Sequence, residues 1–449
     1  MADRFRISNA MPDIASRARD NRVRSRVCSD RFGSVEWMTA LRGLVIGSFT
    51  LASACGHNAA SPDAARVDAV NDASMAALFS PAVGFATGAY PQSVAVGDLN
   101  GDGNPDLAVA NFNDNSVSVL LNTTAAGATT PSFSTKVDFT TGLGDLDSGS
   151  HPFFVAIGDL DGDGKLDLAV TDFNGGTVSV FINTTVANAS TPSFATRVDL
   201  ATWSPFENTS PYVVAIGDLN GDGRPDLVVA EGGEGTAMVM SNTTTPNATP
   251  SFTLDPIPLS SDIPFFTAIS DINGDGNRDL VVTDLARGSV SVLLNPDFAT
   301  DNVVATITKP YGLAIADFNG DSKPDLAIAS ADAHTLSVLL DTTIANAQTP
   351  SFSTQVDLPT GIDPESVAAA DFDGDGKPDL AVANLNSDSV WVFLNTTATD
   401  ASTPTFSSAS SYETVSPCSI AVGDFNGDGK PDLAVANEGT NDVSILLAE

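Results

Sequence analysis

A ten-residue string, Asp98-Leu99-Asn100-Gly101-Asp102-Gly103-Asn104-Pro105-Asp106-Leu107, limits what this chain can become, because versions of it restart at Asp159, Asp218, Asp271, Asp317, Asp371 and Asp424. Seven copies, 46 to 61 residues apart, define a repeat protein. Each copy is one supersecondary unit that buries its apolar face only against its neighbours. Within the string, oxygen-bearing side chains stand at positions 1, 3, 5 and 9 and glycines at 4 and 6, an alternation that folds hard donors inward.

Such a donor set suits Ca²⁺, which takes about six to eight oxygens from carboxylates, carbonyls and water. Sulfur and imidazole are absent from the loops, which argues against zinc and copper, and Mg²⁺ prefers to keep its waters. The expected ligands in the first copy are Asp98, Asn100, Asp102 and Asp106, with the backbone carbonyl of Asn104 at position 7. The second offers Asp159, Asp161, Asp163, Lys165 and Asp167, and the third Asp218, Asn220, Asp222, Arg224 and Asp226. The fourth offers Asp271, Asn273, Asp275, Asn277 and Asp279, and the fifth Asp317, Asn319, Asp321, Lys323 and Asp325. The last two offer Asp371, Asp373, Asp375, Lys377 and Asp379, then Asp424, Asn426, Asp428, Lys430 and Asp432. At position 7 the basic side chains count through their carbonyls, and up to seven Ca²⁺ are expected.

An EF-hand needs a bidentate Glu at position 12, where these copies carry residues such as Val109, Val170 and Val229, with no helical pattern after them. What flanks the loop is strand. Residues 93–97 and 107–110 each alternate a bulky with a thin face, 116–121 form a third strand, and 133–139 a fourth with Lys136 and Asp138 on its outer face. Four antiparallel strands per copy, seven times over, predict an all-β seven-bladed β-propeller, since radial repetition leaves only short protected edges. The last copy ends after its third strand, while residues 79–88 align with 133–142. The N-terminal segment is therefore expected to serve as outer strand of the last blade and lock the ring.

The motif, preceded by Pro-x-x-Val-Ala-x-x-Asp, resembles the FG-GAP or VCBS repeats of integrin-α-like propellers, over residues 79–449. The resemblance implies calcium in the loop between the first two strands of each blade, on one face of the disc, and ligands on the other. Two positions depart from the pattern: Ser322 replaces glycine at position 6 in blade five, and Arg278 the usual proline in blade four.

Before the repeats the text changes. Residues 1–37 hold eight Arg and five acids; Met38 to Arg42 then lead into an apolar run at 43–54 and Cys55. The run reads as the core of a signal peptide, too short to span a bilayer, which needs about 20 residues. Leu51-Ala52-Ser53-Ala54-Cys55 resembles a bacterial lipobox in which Cys55 is lipidated, though Ala52 stands where Leu is usual and Ala52-x-Ala54 equally suits ordinary signal peptidase. Residues 1–54 are thus leader, 55–78 a flexible linker and 79–449 the propeller. The product is an exported monomer, on the bacterial surface or secreted, meeting membrane only through a lipid anchor. Net charge −36 argues against nucleic acid as a partner.

Individuality lies opposite the acidic loops. After the proline that opens each blade stand Gln92, Phe153, Tyr212, Phe265, Tyr311, Glu365 and Cys418. The four successive aromatics either rim a ligand site for a sugar or peptide or pack as a plug. Two longer connections, carrying His151 and Trp203, are further ligand-binding candidates. The sequons at Asn122, Asn183, Asn242 and Asn395 read as turn chemistry rather than glycosylation. No catalytic residue is expected: neither a nucleophile elbow nor a zinc triad is present, and the chain has three His. The expected function is a non-catalytic adhesion or binding module for protein or glycan. The alternatives are a carbohydrate-active or other hydrolytic enzyme, and an envelope assembly scaffold.

Overall fold

Val alternating with Ala or Gly makes strands thin enough to crowd an axis, and in the computed structural model they form twenty-eight strands in seven four-stranded antiparallel sheets. The structure describes residues 77–142, 149–202, 210–232, 235–259 and 263–449. The leader, Cys55, nearly all the linker and Trp203 lie outside them. Among the described residues no helix is long and apolar enough to cross a membrane.

Blade one shows the pattern. Pro91–Gly97 runs to the acidic loop, Asp106–Asn111 and Ser116–Leu120 follow, and Val137–Thr140 is the outer strand. The outer strand is shorter than residues 133–139 suggest. Phe133 makes only an isolated bridge to Asn122, after which the chain leaves the ladder before rejoining it at Val137.

The second strand of every blade is buried along its whole length, because both its faces are covered by neighbouring blades. Leu107 and Val109 pack toward blade seven, against Phe425 and Ala434. Ala108 and Ala110 belong with Val155, Leu168 and Val170 of blade two. One apolar cluster fills each of the seven seams. Each fully buried Leu or Val there contributes about 1.5–3 kcal/mol.

Polar pins cross the same seams. Asn183 Nδ2 donates to the Leu99 carbonyl of the preceding blade at 2.8 Å, and Asn122, Asn242, Asn295 and Asn395 repeat the bond to Phe425, Leu160, Leu219 and Phe318 at 2.7–2.9 Å. These asparagines are buried, so the sequons are structural pins. Arg278 does not disturb its blade: its carbonyl accepts from Asn295 at 2.9 Å, as Pro225 and Pro378 do from their asparagines at 2.9 and 3.0 Å. Blade five has Asp341 at the pin position and blade seven has Ala448.

The ring closes as the alignment of its two ends predicts. Val83–Ala86 pairs with Asp442–Leu446, Val83 opposite Ile445 and Ala86 opposite Asp442. Where blade seven lacks the asparagine pin, Phe79 bridges to Ala448 and packs its ring edge-on to Phe372 and Tyr412 at 5.4 Å.

Candidate metal loops and the aromatic cluster

Each acidic loop turns its own amides toward its carboxylates. In the first, Asp102 and Gly103 N–H donate to Asp98 Oδ1 and Oδ2 at 3.1 and 2.8 Å, Asp102 N–H donates again to Asn100 Oδ1, and Asn104 N–H to Asp102 Oδ1 at 2.8 Å. The turn needs left-handed backbone at positions 4 and 6, supplied by Gly101 at φ +68° and Gly103 at φ +89°. Position 6 of blade five holds the same conformation with a side chain, Ser322 at φ +67°, and its N–H still reaches Asp317 at 2.7 Å.

Positions 1, 3 and 5 are thus tied together through the loop's amides in every copy. Carboxylate oxygens converge within 4.8 Å in two loops, Asp159 with Asp161 and Asp167, and Asp371 with Asp373 and Asp375. Three of the five basic side chains at position 7 turn back on position 5: Lys165 to Asp163 at 3.6 Å, Lys377 to Asp375 at 3.7 Å, and Arg224 to Asp222. The hard, acidic donor set fits a calcium-sized cation.

Position 9 has a role that spacing did not disclose. Asp106 is fully buried; its Oδ2 accepts the Leu99 N–H at 2.9 Å and its Oδ1 the Asn122 N–H at 2.7 Å. Asp167, Asp226, Asp279, Asp325, Asp379 and Asp432 repeat both bonds. Each ties its loop to the end of the third strand, leaving only remaining lone pairs for an ion. Burial raises these carboxyls, with the loop's other aspartates adding and the amides opposing: Asp106, Asp167 and Asp325 to about 7, Asp379 and Asp432 to about 6.

A second feature that the spacing concealed is a clasp. The turn between third and fourth strands of one blade reaches the acidic loop of the blade before it. Asn188 N–H donates to the Asn100 carbonyl at 2.7 Å, and Asn100 Nδ2 returns a bond to the Ala189 carbonyl at 3.2 Å. Gly127, Asn346 and Asp400 make the same backbone bond to Asn426, Asn273 and Asn319 at 2.6–2.9 Å, and those asparagines return theirs at 3.1–3.2 Å. Asn247 donates to the Asp161 carbonyl at 3.2 Å, where the aspartate has no amide to return. Five loops are held this way. Among the described residues those of blades three and six have no such partner, and their position-3 residues, Asn220 and Asp373, are exposed while the other five are buried.

The residue after each blade's opening proline sits where the pairing with the second strand slips, at a bulge that turns its side chain out of the ladder. The four aromatics meet there. Phe153, Tyr212, Phe265 and Tyr311 form a chain with ring centres 5.6, 5.0 and 4.8 Å apart, and the last three are buried. They meet edge-on or tilted, at interplanar angles of 80°, 50° and 61°, as in the plug. Phe112 and Phe173, from the turns after the second strands, extend the cluster, a contribution visible in sequence only as equivalent positions after Asn111 and Asp172. His151 stacks on Phe112 at 4.4 Å, its Nδ1 paired with the Asn174 amide at 2.8 Å, and burial lowers its pKa. Cys418 is buried with Sγ on the Pro91 carbonyl at 3.1 Å.

Comparison with known proteins agrees with this geometry. The FG-GAP-like repeat matches residues 98–170, 159–229, 271–328, 323–382 and 371–435, well over half of the chain. No curated protein matches the sequence. Among solved structures, BBS1N in complex with ARL6DN is similar at TM-score 0.56 and 14% identity, covering 84% of this chain and 98% of that one. A Lactobacillus plantarum protein is similar at TM-score 0.50 and 12% identity, and a Bacteroides fragilis protein described as a putative 6-phosphogluconolactonase at 0.50 and 13%. Each of these two covers 73% of this chain and 86% of its own. At these identities the likeness is one of fold.

Proposed function

The chain belongs to the FG-GAP-like repeat family, and from that premise we propose that it is an exported, calcium-stabilised, non-catalytic propeller that binds a protein or glycan. The observation that carries the reading is the repetition of one hard-oxygen cage seven times, with carboxylates converging within 4.8 Å in two copies. Calcium, when bound, would supply positive charge beside the carboxylates of these loops. The chain's own residues do the rest. Positions 1, 3 and 5 gather oxygens, position 9 fixes the loop to its blade, and the clasp ties it to the next. Ion binding on five loops therefore tightens seams as well as turns.

A non-catalytic role is supported by how the reactive groups are used. His151 stacks in the aromatic cluster, His334 Nδ1 accepts the Asp363 N–H at 3.2 Å, and Cys418 is buried against a carbonyl. Export and lipidation rest on the basic-apolar leader and on Cys55 behind small residues.

Titrating calcium into chelator-treated protein is expected to raise the melting temperature by several degrees, since a ligand at about 100 times its Kd adds about 2.7 kcal/mol. Equilibrium dialysis should then count several bound ions per chain. No bound ion and an unmoved melting temperature would overturn the metal reading. Labelled palmitate that enters the native chain and is lost in Cys55→Ser would establish the anchor.

A further inference from the structure

The five clasps show, inside one molecule, what an acidic loop of this protein binds. Each presents a peptide turn whose left-handed residue (Gly127, Asn188, Asn247, Asn346 or Asp400, φ +55° to +68°) donates its N–H to a position-3 carbonyl. In four of them the next residue's carbonyl accepts the position-3 amide. In four of the five the residue before the left-handed one, Ala126, Ala187, Ala345 or Thr399, lies over the position-4 glycine, 3.6–4.0 Å from where a Cβ would stand; in the fifth Pro246 leaves Gly162 uncovered.

Blade four has no such turn. Its third strand ends at Leu293 and its outer strand begins at Asn302, where blade two has Phe181 and Val198. From that short connection Asn295 reaches the loop of blade three through its pin to the Leu219 carbonyl, and no residue there donates to the Asn220 carbonyl. A Cβ on Gly221 would meet nothing within 4 Å. Asn220 keeps its Oδ1 on the Asp222 N–H at 2.9 Å, yet its Nδ2 has no bond of the kind that Asn100 gives to Ala189. In place of the clasp is a cavity of about 590 Å³, which Asn220 lines together with Leu219, Ile257, Pro258 and Phe298.

We propose that this cavity between blades three and four is a docking site for a peptide turn of another protein, bound in the pose of the five internal clasps. The site offers one backbone acceptor and one amide donor in the arrangement that fixes Asn188 and Ala189, beside a wall where Ile257, Pro258 and Phe298 stand with Asp255, Asn277 and Asp297. The turn it selects has a small residue, then Asn, Asp or Gly in left-handed backbone, then a residue with a free carbonyl. Main-chain recognition fixes the pose and the small residue gives selectivity, since Gly221 admits close approach. This names the class of partner for the binding module proposed above and rests on that reading.

The test uses the full chain in calcium and a fluorescent, cyclised peptide with the sequence of residues 183–194, followed by anisotropy. Cyclisation presets the turn and lowers the ordering cost. Saturable binding is expected, weakened about five- to tenfold by Asn220→Ala, the range for one lost hydrogen bond. A probe N-methylated at the residue equivalent to Asn188, which has no N–H to give, should not bind. A variant carrying residues 342–351 in place of 296–301 fills its own cavity and should lose the probe while melting no lower than the parent.

Failure of the probe to bind at millimolar concentration, or equal binding by Asn220→Ala or by the methylated probe, overturns the proposal. So does a glycan that occupies the cavity while the peptide does not. Concentration-dependent sedimentation abolished by Asn220→Ala would put a second copy in the site and overturn the assignment to another protein. Selective probe binding by a chain indifferent to chelator would sink the calcium reading and leave this one standing; a calcium-stabilised chain that ignores the probe does the converse.

Discussion

Ser322 occupies left-handed backbone that its six counterparts fill with glycine, and a Cβ in that conformation costs about 1–2 kcal/mol. Part of that cost is offset by the lower chain entropy that serine leaves in the unfolded state. Ser322→Gly should therefore stabilise by about 0.5–1 kcal/mol, measurable in the urea midpoint at unchanged slope. The strain was legible in sequence, because six copies reported what backbone the seventh must adopt. Glu231 was not legible, since nothing in its spacing says that a carboxylate will be fully buried there. Burial, opposed only by the Thr202 hydroxyl, pushes it up to about 8 from an ordinary 4.5. A raised carboxyl makes the folded state hold its proton longer than the unfolded chain, so its contribution falls as pH climbs from 4.5 to 8 and is flat beyond. The stability advantage of Glu231→Gln over the parent should open across that window, by at most about 1.4 kcal/mol per pH unit, and vanish below it. Paired melts from pH 4 to pH 9 check the sign.

At the scale of elements, the repeat carries two kinds of information, and only one can be read along the chain. Strands, loops and the closing segment follow from residues a few positions apart. Pins and clasps join residues 73 to 89 positions apart, such as Asn183 to Leu99 and Asn188 to Asn100, or about 300 apart where the ring closes, and a list of repeats does not say which blade touches which. The string Asn-Thr-Thr-x-x-Asn-Ala around Asn183, and the short interval of 46 residues after Asp271, were the available signals. The pins also explain Asp341. It replaces an asparagine, so its seam has no amide to give; its Oδ2 is buried without a hydrogen bond, and burial raises its carboxyl. Asp341→Asn should restore the donor and stabilise by about 1–3 kcal/mol at neutral pH, read as a higher melting temperature. Asn183→Ala should cost a similar amount.

The whole molecule is a ring in which no blade is whole without its neighbours, and blade seven is assembled from both ends of the described chain. Removing residues 77–86 would strip four ladder pairs and unseat Phe79 from Phe372 and Tyr412. The expected loss is at least about 3 kcal/mol, the size of a buried Phe→Ala change, and should be accompanied by aggregation through the bared edge. Size-exclusion chromatography and thermal melts report both effects.

The same joint makes closing the ring a late event in folding. Val83 and Ile445 are the most distant ladder partners among the described strands, so their pairing waits until stacking of the intervening blades has drawn the two segments together. Until then the chain is an arc with two uncovered flanks, and refolding followed at several protein concentrations should show a last phase that slows and loses yield as concentration rises.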